Sequence, residues 1–220
     1  MNGKGAFITF EGIDGSGKTT QLELLYKELL SRKVDVIKTR EPGGTIPGER
    51  IRNLLSDKQF NMEPVTELLL FFSSRVQLIE ELIKPALKTG KTVLCDRFHD
   101  ATVAYQSYGR GLSMDMVTTL EKAFVLPVKP DRTFLLDCPY EVAKNRMSAR
   151  NYKTRIETMD RAFFDRVRQG YLNIAKSEPD RIVVVDATGT IEDVHRYIKD
   201  DFFSWAPPHL SPLPLGEREE

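Results

Sequence analysis

Apolar residues in this chain gather into short, nearly unbroken runs separated by stretches with helical spacing. AFITFE (6 to 11), TVLCD (92 to 96), TFLLD (133 to 137) and IVVVD (182 to 186) are rich in β-branched and aromatic residues, and DVIKTR (35 to 40) is a weaker fifth. Strands of a parallel sheet covered on both faces read this way, because neither side of the strand meets water. Between the runs, Leu22, Leu25, Tyr26 and Leu29 recur at helical spacing, and residues 68 to 87 carry a longer helical pattern that stops near Gly90. The alternation predicts an α/β fold, with one parallel sheet of about five strands flanked by helices and joined by right-handed crossovers. Asp96, Asp137 and Asp186 each close a strand, on the edge where open parallel sheets bind their ligands.

Later in the chain, residues 140 to 172 are rich in arginine and predict a helix, a mobile segment and a second helix. WAPPHLSPLPLGEREE (205 to 220) holds four of the twelve prolines and no apolar period, which predicts a disordered tail after a single domain spanning 1 to 204. There is no internal repeat. With 220 residues, 40% hydrophobic and 29% charged, the chain suits one globular core. Lys plus Arg equals 32 and Asp plus Glu equals 32, so net charge argues against nucleic acid or an anionic membrane as a standing partner. MNGKGAFITFEG lacks the cationic start and apolar core of a secretory signal, and no apolar run approaches the roughly 18 residues of a membrane helix. A cytoplasmic protein is expected. Cys95 and Cys138 have no CxxC or Cys/His spacing and read as buried thiols in a reducing compartment.

The chemistry begins at FEGIDGSGKTTQ (10 to 21), where Gly12, Gly17, Lys18 and Thr19 match GxxxxGK[ST] between a predicted strand and a predicted helix. Such a loop, Gly12, Ile13, Asp14, Gly15, Ser16, Gly17, Lys18, Thr19 and Thr20, turns successive N–H groups toward phosphate oxygens. Lys18 reaches the terminal phosphates and the Thr19 hydroxyl can ligate Mg2+. A nucleoside triphosphate with magnesium is therefore expected. GTPases, ATPase motors, small-molecule kinases and non-hydrolysing binding modules all remain open at this point.

TREPGGT (39 to 45), LLLFFSSRVQL (68 to 78), CDRFHDATVAYQ (95 to 106) and GRGL (109 to 112) narrow the field. In order and spacing, from about Phe7 to about Val194, they resemble the bacterial thymidylate kinases, a family of P-loop nucleoside monophosphate kinases. The resemblance implies a three-layer P-loop NTPase fold with a five-stranded parallel sheet and a short helical lid. It also implies transfer of the γ-phosphate of ATP to dTMP, giving dTDP and ADP for dTTP synthesis, by a homodimer. Asp96 would join the magnesium site or the phosphate-binding network, and Arg97 would grip the acceptor phosphate with its planar fork. Arg40 and Arg52 would add positive charge there. Phe71 would stack on thymine and Arg75 would donate to its O4 carbonyl, the two sharing one helix face. Thr102, Tyr105 and Gln106 fall in the base-and-sugar segment, and Asp14 would face the sugar 3′-hydroxyl. Glu11 has no role in this pattern. Phe98 and Ala101 stand where tyrosine and serine are commoner in the family.

Phosphoryl transfer needs positive charge on the moving group more than acid–base chemistry. Positions 13 to 16 of the loop, Ile, Asp, Gly and Ser, supply none. RMSARNYKTRIE (146 to 157) resembles the lid of the subclass that carries its catalytic arginine there, with Arg150 and Arg155 the candidates beside Lys18 and Arg97; Thr154 replaces a frequent aspartate. DATGTIEDV (186 to 194) corresponds to the segment that packs on adenine in related kinases. A nucleoside kinase would want a carboxylate to take a hydroxyl proton and fewer arginines around the acceptor. A nucleotide-dependent switch would turn over slowly without any acceptor and leaves TREPGG and DRF unexplained.

Overall fold

The computed structural model describes residues 5–125, 128–148, 154–207 and 210. Each apolar run of the sequence forms a strand: β1 Phe7–Glu11, β2 Val36–Arg40, β3 Thr92–Asp96, β4 Arg132–Asp137 and β5 Ile182–Asp186. They pair in the order β2-β3-β1-β4-β5, every pair parallel. The register sets Phe10 beside Asp96 and Arg40 beside the same Asp96. The carboxyl ends of the three neighbouring strands therefore open on one place.

Side chains of β1 alternate between the two faces of the sheet, as the pleat requires. Phe7 joins an apolar cluster with Val93, Leu68, Phe72 and Leu78, whereas Ile8 and Phe10 join another with Leu22, Leu25, Leu29 and Phe134. Burying one such side chain contributes about 1.5–3 kcal/mol, so both helical layers are drawn onto the sheet. Thr9, polar and fully buried, shares a 2.7 Å hydrogen bond with Thr133 across β1 and β4. The helices are α1 Lys18–Ser31, α2 Ile46–Ser56, α3 Pro64–Leu78, α4 Lys84–Lys88, α5 His99–Thr102, α6 Met114–Phe124, α7 Tyr140–Ser148, α8 Arg161–Ser177 and α9 Ile191–Trp205.

Two departures from the sequence reading have physical causes. The helix expected over 68 to 87 is divided, with a π-helical turn at Ile79–Ile83 between α3 and α4. Pro85 has no N–H to donate, and in a regular helix its ring would press on the carbonyl of Glu81; the wider turn relieves that clash. The tail expected from 205 is anchored at its start. Trp205 closes α9, and Leu210 is 2% exposed in the main apolar cluster, its N–H donating to the Pro207 carbonyl at 2.8 Å. Burying that leucine offsets the cost of ordering the turn before it. Trp205 packs on Phe202, ring centroids 6.1 Å apart, and under the Arg132 guanidinium, which pairs with Asp201 at 2.6 Å. Positions 208, 209 and 211–220 lie outside the described residues. No described helix is long and apolar enough to cross a membrane.

Gly170 sets the approach of α8 to the π-helical segment Val103–Gly109, because a Cβ there would meet the Cγ of Tyr108 at 2.7 Å. Gly→Ala inside an exposed helix gains roughly 1 kcal/mol, but overpacking costs about 1–3 kcal/mol. The 2.7 Å approach to the Tyr108 ring puts the cost in the upper part of that range, about 2–3 kcal/mol, so Gly170→Ala should lower the free energy of unfolding by about 1–2 kcal/mol. Urea denaturation checks this, and an unchanged or higher midpoint contradicts it.

Candidate active site

The loop between β1 and α1 takes backbone angles that side chains resist. Gly12 has φ 135° and no room for a Cβ, which would lie 2.4 Å from the Leu136 carbonyl oxygen; Gly17 caps α1 with φ 101°. The N-terminus of α1 thus opens onto the loop, with unpaired N–H groups and a partial positive charge that suit an anion. Lys18 is 6% exposed, and its ammonium donates to the Ile13 carbonyl at 2.8 Å. Burial, with Arg97 nearby, brings its pKa down to about 8. The Thr19 hydroxyl donates to the Asp96 carboxylate at 2.5 Å. That hydroxyl and carboxylate suit Mg2+, which keeps several waters and takes one or two carboxylates beside substrate phosphates. No group of three metal-binding His, Cys, Asp or Glu gathers among the described residues, so bound phosphates would complete such a site.

On one side of the loop lies a cavity walled by Gly15, Ser16 and Thr20, by Arg146, and by Thr190 and Ile191. The segment expected at adenine, 186–194, is therefore part of that wall. Arg146, on α7, donates to the Ser16 carbonyl at 3.4 Å and is the lid-segment cation found at the loop among the described residues. Arg150 lies outside them. Arg155 lies on the other side, its guanidinium paired with Glu67 and donating to the Leu55 carbonyl at 3.4 Å.

Across the loop is a second cavity, and here most of the expected acceptor residues meet: Asp14, Arg52, Phe71, Arg75, Arg97 and Tyr105 line it, as do Thr102 and Gln106. Phe71 forms part of the wall, while Phe72 is 3% exposed in the core. Arg75 is 1% exposed. Its Nε and Nη2 meet Glu41 at 2.8 and 2.7 Å, and Nη2 also donates to Thr102 at 2.8 Å and to the Phe98 carbonyl at 3.2 Å. Nη1 has no partner among the described residues, although a guanidinium nitrogen buried without one is costly. Burial pushes Glu41 up to about 7 against the pull of Arg75.

Arg97 is the other anchor. It donates to the Gly12 carbonyl at 2.8 Å, to Asp14 at 2.7 Å, and to the hydroxyls of Tyr171 and Tyr105 at 3.1 and 3.3 Å. Tyr105 in turn donates to Asp14 at 2.8 Å. Burial works to raise Asp14, but Arg97 and Lys18 outweigh it and hold the carboxyl below its usual range. Arg52 donates to the Pro42 carbonyl at 3.0 Å from the cavity wall. Arg40, at the end of β2, is half exposed, pairs with Glu49 at 2.9 Å and is not part of the wall.

Sequence reasoning gave no role to Glu41, Glu67, Tyr171 or Glu11. Glu11 is fully buried; it accepts from the Phe98 N–H at 2.6 Å and from the Tyr171 hydroxyl at 2.8 Å, and so holds the turn that carries Arg97. A lone acid ahead of the apolar run beginning at Leu68, and another closing an apolar strand, were the signals available for Glu67 and Glu11.

A family model described as thymidylate kinase matches residues 10–198. A thymidylate kinase of Kosmotoga olearia is 48% identical over 196 residues, 89% of this chain and 94% of the relative. One of Exiguobacterium sibiricum is 45% identical over 202 residues, 91% of this chain and 95% of the relative. A crystal structure of thymidylate kinase from Ehrlichia chaffeensis superposes with a TM-score of 0.75 at 37% identity, covering 91% of this chain and 100% of that one.

Burial, with Asp100 adding to it, raises Glu11 from 4.5 to about 8. The folded protein keeps this proton up to about pH 8, while the unfolded chain releases it near 4.5, so stability falls as pH rises between those values. Glu11→Gln, which keeps a neutral group of the same shape, should flatten that decline. Thermal melts from pH 5 to 8 check it, and an equal slope in both proteins would refute the buried proton.

Proposed function

Because the chain belongs to the thymidylate kinase family, we infer that its two cavities hold the donor and acceptor of one phosphoryl transfer, on either side of the phosphate loop. The protein is an ATP-dependent transferase that moves the γ-phosphate of ATP onto dTMP, giving dTDP and ADP for nucleotide biosynthesis. The observation that carries the residue assignment is Arg75, a fully buried cation fixed by three partners with one nitrogen left over at a cavity wall.

In this reading the triphosphate lies on Gly12 to Thr20, and Lys18 exchanges the Ile13 carbonyl for its terminal phosphate oxygens. Thr19 and Asp96 would hold Mg2+, which when bound would supply charge that neutralises the phosphates. The thymine ring rests on Phe71 with its O4 at Arg75. The sugar lies along Tyr105, with its 3′-hydroxyl toward Asp14. Arg97 takes the acceptor phosphate, and Arg52 and Arg40 add positive charge around it. An acceptor phosphate oxygen is a competent nucleophile once those cations neutralise it, so attack is in line and no general base is assigned. Arg146 and Arg150 of the lid segment bring positive charge to the moving group and exclude water. Arg155, paired with Glu67, closes the lid segment onto the acceptor side.

We propose a homodimer formed through α3 and α6. Val65, Leu69 and Met116 are 41%, 49% and 40% exposed and share a shallow apolar groove between those helices, a face that a second copy would cover. A cytoplasmic location is supported by Cys95 and Cys138, both buried and unpaired.

ADP release from ATP and Mg2+, assayed with dTMP, dUMP, dCMP, dGMP, AMP and thymidine, tests the assignment. Stimulation by dTMP above the rest is expected, and release indifferent to every acceptor would discard it. Lys18→Ala should abolish turnover. Arg75→Ala should raise the KM for dTMP by about ten- to a hundredfold, the worth of a charged hydrogen bond, and leave the KM for ATP unchanged. Equal losses for both substrates would refute the role of Arg75.

A further inference from the structure

Glu67, in the first turn of α3, is 1% exposed and lies against four donors. It accepts from the Gln106 amide nitrogen at 3.0 Å, from Arg110 Nε and Nη2 at 3.3 and 3.1 Å, and from Arg155. Burial tends to raise its pKa, but hydrogen bonds from both arginines and from Gln106 outweigh burial and hold it below the usual carboxylate range. An ionised carboxylate can only accept. The amide of Gln106 therefore has one permitted facing, with its nitrogen toward Glu67. Its Oε1, which takes no bond from a described residue, is left for the acceptor cavity that Gln106 lines.

We propose that Glu67 is a positioning residue that fixes the facing of the Gln106 amide and so selects an acceptor base offering an imino N–H beside a carbonyl oxygen. The proposal rests on the dTMP kinase reading above. Two readers then line one cavity: Arg75, whose Nη1 can only donate and has no partner among the described residues, and Gln106, whose Oε1 can only accept. The O4 and N3–H of thymine or uracil complement both. Cytosine opposes both, setting an amino group against the guanidinium and a bare N3 against the amide oxygen. A buried donor or acceptor left facing its like is what gives a hydrogen-bonding site its power to reject.

Glu67→Gln makes the orientation reversible. The new amide oxygen is drawn to Arg110 and Arg155, its NH2 turns to Gln106, and the Gln106 amide flips to present its own NH2 to the cavity. The ratio of kcat/KM for dTMP over dCMP should then fall about tenfold, the worth of one hydrogen bond. The ratio for dTMP over dUMP should not move, since both bases offer the same edge. Glu67→Gln added to Gln106→Met should change neither ratio further. Glu67→Asp, still acceptor-only, should keep the dTMP/dCMP ratio of the parent even if KM rises. The proposal is overturned by an unchanged dTMP/dCMP ratio in folded Glu67→Gln, by the same fall on the Gln106→Met background, or by loss of the ratio in folded Glu67→Asp. The parent protein, assayed alongside, separates this from the prior reading: without dTMP-stimulated ADP release it is the kinase assignment that fails.

Discussion

A guanidinium drawn largely out of water needs partners, and the site is organised around satisfying that of Arg97, whose side chain is 15% exposed. It is one of two described non-glycine residues with a left-handed backbone, φ 69°, a conformation that costs about 1 kcal/mol or more. The bend carries the chain out of β3 so that one side chain reaches three parts of the fold with no backbone pairing among them. These are the phosphate loop through Gly12 and Asp14, α8 through Tyr171, and the π-helical segment through Tyr105. In the proposed reading an acceptor phosphate at Arg97 would compete with these same partners, and one cation would then link acceptor binding to the shape of the phosphate loop.

The same logic repeats outward. Behind four of the groups that line the acceptor cavity sits a carboxyl group that fixes them: Glu41 behind Arg75, Glu67 behind Gln106, Asp14 behind Arg97 and Tyr105. Glu11 does so for the backbone of the turn itself. Asp14 and Glu41 line the cavity and Glu67 and Glu11 stand outside its lining, and all four decide which atoms remain to meet a ligand. Preorganisation of this kind lowers the ordering cost of binding, and in a poorly solvated cavity it makes each mismatch expensive.

What was legible in the sequence follows from range. Strands show in consecutive residues, and each of the five runs became a strand because continuous apolar character is local information. The phosphate loop is legible for the same reason: Gly12, Gly17, Lys18 and Thr19 act within one turn. Phe71, Arg75, Arg97, Tyr105 and Gln106 were found through resemblance, and the fold brings them to one cavity. Of the acids behind them Asp14 had an expected place, whereas Glu41, Glu67 and Glu11 had none. Glu41 meets Arg75 across 34 positions, Glu67 meets Gln106 across 39, and Tyr171 meets Glu11 across 160; no periodicity records such meetings. The partner of Arg155 was hidden for a related reason, since a charge run says nothing of which side of the loop each cation will find its partner; here it is Glu67. The π-helical turn escaped because Pro85 was read as part of a continuing helix rather than as the cause of a wider turn.

The sole tryptophan of the chain, Trp205, closes α9 at the end opposite Ile191, which lines the cavity beside Ser16 and Thr20 of the phosphate loop. Fourteen helical steps separate them, about 21 Å at 1.5 Å per residue. Intrinsic indole emission therefore reports whether Phe202, Arg132 and the end of α9 are docked on the core, and it is a gauge of folding that nucleotides at the loop leave largely unperturbed. Following substrate binding by fluorescence would call for a chromophore introduced elsewhere or carried by the nucleotide.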